Sequence, residues 1–107
     1  MTEIRFLFDD ELLTGFHMKG HSTTNEGDEQ GRLCCAAVSS AAYMAANTVT
    51  EIIGASANIR LAEEVGEMYV KVTSNREEAM PVFAGLKLHM EQLSGQFPDH
   101  ITIISEV

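Results

Sequence analysis

Apolar and polar residues alternate at the start of the chain. Ile4, Phe6 and Phe8 are separated by single residues, and the run stops at the polar stretch 9–11. A period of two predicts a β-strand with one face on a core. The segment from Leu12 to Gly20 alternates in the same way. Residues 3–20 therefore predict a β-hairpin.

The next two stretches differ sharply in composition. Residues 22–31 are almost entirely polar or Gly, which predicts a loop. Leu33 to Ala46 has no charge and many small residues, which predicts a deeply packed helix. This helix should run to about Ile53 and end at Gly54, because Gly commonly ends helices.

Two further alternating segments follow, 58–63 and 67–73, separated by Glu64-Val65-Gly66. They predict a second hairpin. Ser74-Asn75-Arg76-Glu77 has the form of a capping box, and apolar residues then recur at helical spacing as far as Gly95. Pro81 lies inside this second helix, so it either kinks the helix or delays its start.

The last apolar run, His100 to Ile104, predicts a closing strand. The predicted order is ββαββαβ in one domain, residues 1–107. This order is typical of an α+β fold in which two helices cover an antiparallel or mixed sheet. The glycines form neither a dinucleotide-binding motif nor a P-loop, so no nucleotide cofactor is expected.

Charge narrows the possible partners. The 107 residues contain 7 Lys and Arg against 16 Asp and Glu, a net charge of −9. Nucleic acids and anionic membranes are bound by clustered basic residues, and no basic run occurs here. We expect no nucleic-acid or membrane partner, and a basic protein fits better.

The two cysteines, Cys34 and Cys35, are adjacent, which disfavours a disulfide between them. We expect reduced thiols and a cytosolic protein. The N-terminus has no signal-peptide pattern, and the apolar stretch 33–46 is too short to span a bilayer.

The residues best suited to catalysis are His21, which follows a strand end, and the two cysteines. The pattern places both cysteines in the first turn of the buried helix. A thiol at a helix N-terminus meets free N–H groups that favour the thiolate. A nearby histidine can take its proton and later protonate a leaving amine. This combination indicates acyl transfer.

Simpler interpretations compete with catalysis. A buried Cys is usually a small apolar residue, and a single His beside a loop is usually solvated. Zinc is disfavoured because adjacent residues of a helix point about 100° apart and no second paired motif exists. We expect no metal.

Gly20-His21, a Gly-containing loop and the segment from Cys35 to Ser39 resemble the paired GHA and CAAVS signatures of the ribosomal-processing cysteine protease (Prp) family. The likeness continues through residues 66–72 and 97–101, and it covers essentially the whole chain.

The resemblance implies a protease that removes the N-terminal extension of large-subunit ribosomal protein number twenty-seven, on a small α/β fold that usually forms a homodimer. By motif, Cys35 matches the nucleophile, His21 the general base, and Gly20 and Ser39 are substrate-binding or site-supporting residues. Cys34 falls where the family has Val or Ile, which implies a packing role.

Arg32 departs from the family pattern, which commonly has Asp three residues before the nucleophile. Either the acid is not required, or this member is altered. The alternative function is an inactive acidic module that binds a basic ribosomal protein during ribosome assembly.

Overall fold

The computed structural model describes residues 1–22, 25 and 27–105. It contains five strands and two α-helices in the predicted order ββαββαβ, which confirms the α+β class. The strands are Thr2–Asp9 (β1), Leu12–Lys19 (β2), Ala57–Ala62 (β3), Glu67–Val72 (β4) and Ile101–Ser105 (β5), and the helices are Glu29–Asn47 (α1) and Arg76–Gln96 (α2).

The strands form one sheet in the order β3-β4-β2-β1-β5. Neighbouring strands are antiparallel except β1 and β5, which are parallel. The sheet is therefore mixed, which settles the alternative that the sequence left open. Strand β3 lies at one end of the sheet, and β5 lies at the other.

The core lies between one face of the sheet and the two helices. Ile4, Phe6 and Phe16 are fully buried on that face. Phe16 meets Phe83 of α2 edge to face, with ring centroids 6.1 Å apart. Burial of one such aromatic side chain contributes about 1.5–3 kcal/mol to stability. The alternation in β1 and β2 thus reflects a real core-facing side.

The opposite face of the sheet is polar. Arg5, His17, Tyr69 and Arg60 are paired in register across β1, β2, β4 and β3 and form one row. The Arg60 guanidinium lies 4.3 Å from the centre of the Tyr69 ring, which is a cation–π contact. The helices therefore cover only one side of the sheet.

Helix α1 begins at Glu29, four residues before the predicted start at Leu33. The reason is a cap: Asp28 Oδ1 accepts a hydrogen bond from the Gly31 N–H at 3.0 Å. Residues 29–31 of the predicted loop are therefore helical. Positions 23, 24 and 26 of that loop lie outside the described residues.

The prediction that the first helix is deeply packed was wrong for its outer side, where Met44 is 69% exposed. Its inner side, including Cys34, Val38 and Ala42, belongs to the core. By length and composition alone, the segment Glu29–Ile52 could cross a membrane, but a core helix passes the same test. Here α1 continues into a π-helical turn, Thr48–Ile52, and Gly54 follows at φ +80°.

The capping box predicted for the second helix does not form. Ser74 Oγ instead accepts a hydrogen bond from the Ser56 N–H at 2.8 Å. Asn75 is the N-cap, in the left-handed region at φ 50°, and its side chain makes no capping bond. Pro81 does not delay the start of α2, which is Arg76, and the helix ends at Gln96, one residue beyond the prediction.

Candidate active site

A cavity of about 240 Å³ lies between α1 and the ends of strands β2, β3 and β4. All four residues that the sequence singled out, Gly20, His21, Cys35 and Ser39, line it. Cys35 and Ser39 are one helical turn apart on α1 and therefore share a face. The fold thus brings together residues that are up to 19 positions apart in the sequence.

Cys35 is a free, partly buried thiol on the cavity wall. Its Sγ accepts a hydrogen bond from the backbone N–H of Ser22 at 3.1 Å. This hydrogen bond holds the sulfur at the cavity wall.

The predicted position of Cys34 and Cys35 in the first helical turn was wrong. Because α1 begins at Glu29, Cys35 is its seventh residue, beyond the free N–H groups of the first turn. The expected helix N-terminal donors therefore do not reach the sulfur of this residue, and the Ser22 N–H from the preceding segment takes that position.

Ser22 also contacts the second thiol. Its buried hydroxyl donates to Cys34 Sγ at 3.3 Å and lies 2.9 Å from Thr2 Oγ1. Ser22 is thereby held between β1 and α1, next to His21 in the chain. These contacts hold the Ser22 N–H in the position from which it donates to Cys35 Sγ.

Cys34 is fully buried in the core. Burial raises the pKa of the Cys34 thiol, and the hydrogen bond from Ser22 offsets only part of that effect. The surroundings of Cys34 suit the packing role that the family resemblance implies, and they keep the thiol protonated.

His21 lines the cavity without a described hydrogen bond to Cys35. Its Nε2 lies 3.1 Å from the carbonyl oxygen of Glu64. A carbonyl oxygen only accepts, so Nε2 carries the hydrogen and the neutral ring has its lone pair on Nδ1. The backbone of the β3–β4 turn therefore selects the tautomer of His21.

Two glycines make room for this histidine. A Cβ on Gly66 would lie 2.6 Å from the Gly20 carbonyl oxygen and 3.2 Å from His21 Cε1. Gly20 itself has φ +88°, and a Cβ there would lie 2.5 Å from the Met1 carbonyl oxygen. Gly20 therefore supports the site through its backbone conformation.

The N-terminus of α1 is tied to the start of β5. Asp28, which caps α1 through Oδ1, also lies 2.9 Å from His100 Nε2 through Oδ2. The carbonyl oxygen of His100 accepts a hydrogen bond from the Thr2 N–H. Thr2 contacts Ser22, so both flanks of segment 22–28 are anchored on the β1–β5 pair.

The remaining cavity walls are apolar and acidic. Met18, Leu61 and Met68 contribute apolar surface, and Glu63 contributes a carboxylate. Glu67 also lines the cavity, but its Oε2 lies 2.8 Å from Nε2 of His17, which is on the open face of the sheet. A hydrogen bond from His17 lowers the pKa of Glu67. Neither Lys nor Arg is among the described residues that line the cavity.

Arg32 lies on an exposed face of α1, at a separate surface depression with Glu29 and Leu33. It therefore does not occupy a position on the cavity wall. Within the described part of the chain, no group of three or more His, Cys, Asp or Glu side chains is placed to hold a metal ion.

A partly exposed thiol and a histidine line the walls of one cavity, and cysteine proteases use these two residue types for catalysis. The model of the family described as cysteine protease Prp matches residues 1–102. This match spans most of the chain, so the chain belongs to the Prp family of cysteine proteases, as the sequence motifs indicated.

Solved structures share the fold at low sequence identity. Two are of the essential ribosomal processing protease Prp from S. aureus, one with a covalently linked product peptide (16% identity) and one with a substrate peptide (15%). Each has a TM-score of 0.85 and covers 99% of this chain and 100% of the other.

A third solved structure, SMU.848 from Streptococcus mutans, is 20% identical with a TM-score of 0.78, covering 99% of this chain and 96% of that one. No curated protein gives a significant match.

Sequence reasoning missed most of the supporting residues. Thr2, Ser22 and His100 carry no local signal, because each acts through a contact with a distant part of the chain. Gly66 had a usable signal, since a Gly within a hairpin turn often has a positive φ or a close neighbour.

Proposed function

We propose that this cysteine protease removes the N-terminal extension of large-subunit ribosomal protein number twenty-seven, with Cys35 as nucleophile and His21 as general base. The observation that carries the proposal is the Cys35 sulfur in the cavity, with the Ser22 N–H on it and His21 on the same walls. Two solved relatives with the same fold are described as ribosomal processing proteases bound to peptides.

In the proposed reaction, His21 Nδ1 takes the proton of the Cys35 thiol, and Sγ attacks the scissile carbonyl carbon. The C–N bond then breaks, and the leaving amine receives the proton from His21. Water hydrolyses the resulting thioester and frees the thiol. The Ser22 N–H holds Sγ in position for the attack.

The decisive experiment is incubation with the extended ribosomal protein, followed by mass analysis of the products. We expect one cut by the wild type. Cys35→Ala should slow cleavage by more than about a thousandfold. His21→Ala should slow it by about a hundredfold or more, because it removes the general base.

Cys34→Val is the matched control. It removes the neighbouring thiol, which is buried and faces the core. Ser22 loses one hydrogen bond but keeps its contact with Thr2 Oγ1, so cleavage should persist at more than about a tenth of the wild-type rate. An uncut substrate with the wild type, or equal cleavage by Cys35→Ala, would contradict the proposal. Binding without cleavage would favour the inactive acidic module, whose main support is the net charge of −9.

We also propose a cytoplasmic homodimer. What supports the dimer is an apolar groove of about 720 Å³ between α1 and α2, lined in part by Ala41, Met44, Pro81 and Val82. Exposed apolar surface of this kind often marks a protein interface. The proposed ribosomal substrate supports the location.

A further inference from the structure

Strand β3 has only one paired edge. It pairs with β4 along its whole length, from Ala57 opposite Val72 to Ala62 opposite Glu67. It ends the sheet, so among the described strands none pairs with its outer edge. A free edge presents unpaired N–H and C=O groups that can bind another extended chain.

The side chains of β3 are also unusual for an edge strand. Ile59 and Leu61 lie opposite Val70 and Met68, which are buried, so they share the helix-covered face of the sheet. Yet Ile59 is 46% and Leu61 50% exposed. The strand therefore offers an apolar surface beside its free edge, and Leu61 is also part of the wall of the Cys35 cavity.

Across the cavity from Leu61, the wall is formed by a row of side chains on α1. Cys35, Ser39 and Tyr43 follow each other at intervals of one turn and line the same cavity. Eight residues of helix span about 12 Å, which matches three to four residues of extended chain. Tyr43 Oη donates to Glu63 Oε1 at 3.4 Å, which joins α1 to the end of β3.

We propose that the substrate chain binds as an additional β-strand on the free edge of β3, with alternate apolar side chains against Ile59 and Leu61. The scissile bond then lies at Cys35. This inference deepens the proposed function and rests on it for the identity of the peptide. Strand addition supplies affinity through main-chain hydrogen bonds, and the pockets for alternate side chains supply specificity.

The charges of the cavity indicate which residues of the bound peptide would flank its apolar positions. The Glu63 carboxylate lines the cavity, whereas that of Glu67 pairs with His17 on the open face of the sheet. Neither Lys nor Arg occurs among the described lining residues. A peptide with basic residues next to its apolar segment therefore complements this surface, whereas an acidic one would be repelled.

The test measures binding to the Cys35→Ala protein, which cannot cut. The probe is a fluorescent synthetic peptide of twelve residues that spans the N-terminal cleavage junction of the extended ribosomal protein. Each backbone amide in turn is replaced by an ester, which removes one N–H donor without added bulk. Strand addition predicts that binding weakens by about three- to tenfold at every second position near the junction.

Side-chain variants provide a second measurement. Ile59→Thr keeps a β-branched residue at the edge but removes apolar surface, and it should weaken binding several-fold. Leu88→Thr is the matched control, because Leu88 is at least as exposed but lies on α2, and it should bind like the parent. Thermal unfolding of both variants checks that they fold.

Three outcomes would overturn strand addition: equal effects at all ester positions, normal binding by Ile59→Thr, or no binding of the parent peptide by a protein whose wild type cuts the whole ribosomal protein. No binding of the peptide together with no cleavage would overturn the proposed substrate instead. Binding with the alternating pattern, but no cleavage by the wild type, would leave strand addition standing and overturn the protease function instead.

Discussion

The two cysteines are neighbours in the chain, yet their sulfur atoms have different surroundings. Cys35 Sγ faces the cavity and accepts a backbone N–H, whereas Cys34 is fully buried and accepts the Ser22 hydroxyl. Burial raises the pKa of Cys34, so its reactive thiolate is scarce at neutral pH. Cys35 is therefore the accessible thiol of the pair, and Cys34 is the inert one.

This difference is measurable with iodoacetamide at pH 7. The Cys34→Val protein, which keeps Cys35, should be alkylated at least about tenfold faster than Cys35→Ala, which keeps Cys34, because only Cys35 reaches solvent. In denaturant the two rates should converge. Equal and slow labelling of both folded variants would count against a nucleophilic Cys35 and favour the binding module.

Side chains at the site were predictable, and the groups that hold them were not. His21, Cys35 and Ser39 follow from the motifs and the helical period. Their partners include the Ser22 N–H and the Glu64 carbonyl, which are backbone groups that carry no signal in the sequence. Only the tertiary fold decides which of these groups meets the thiol or the imidazole.

At the scale of elements, the β3–β4 turn packs against the end of β2. The Gly20 N–H donates to the Val65 carbonyl oxygen at 3.1 Å, and Gly66 packs against Gly20 and His21. The turn therefore fixes the end of β2 and, with it, the position of His21. Its position depends on the absence of a side chain at residue 66.

Gly66→Ala should disturb this contact. The new Cβ would clash with the Gly20 carbonyl oxygen, and the residue would keep an unfavourable φ of +65°. We expect kcat/KM to fall by about tenfold to a hundredfold, because a small displacement of a catalytic group is costly. Cleavage kinetics, together with thermal unfolding, provide the measurement.

Gly54→Ala is the control for backbone strain alone. Gly54 also has a positive φ, +80°, but nothing lies within 4 Å of the position that a Cβ would take there. This variant should lose about 1–2 kcal/mol of stability and keep its kcat/KM. If Gly66→Ala proved no slower than Gly54→Ala, the turn would not position His21.

Element order was predictable because alternation and helical spacing are local properties of the sequence. The boundaries that failed depended on single side chains: Asp28 starts α1 four residues early, and Ser74 bonds Ser56 instead of capping α2. Both involve a choice between competing hydrogen bonds that spacing alone does not resolve.

Across the whole molecule, charge is distributed unevenly. Four of the seven basic residues, Arg5, Lys19, Arg60 and Lys71, lie on the open face of the sheet, away from the helices. The cavity wall has the Glu63 carboxylate, and neither Lys nor Arg is among its described lining residues. With a net charge of −9 over the whole chain, the protein would attract a basic substrate of the kind proposed above.

Electrostatic attraction predicts a salt effect. For the whole basic ribosomal protein, kcat/KM should fall by about tenfold as ionic strength rises from about 0.03 M to about 0.5 M, because the Debye length shortens. A junction peptide without basic residues should respond by less than about twofold. A flat response with the whole protein would exclude electrostatic steering.

The bonds between Thr2, His100 and Asp28 also have a consequence for timing during translation. A nascent chain that stops before position 100 lacks the imidazole that contacts the Asp28 carboxylate at the start of α1. It also lacks the carbonyl that binds the Thr2 N–H. These two contacts therefore form only after residue 100 has been made, and a shorter nascent chain lacks both of them.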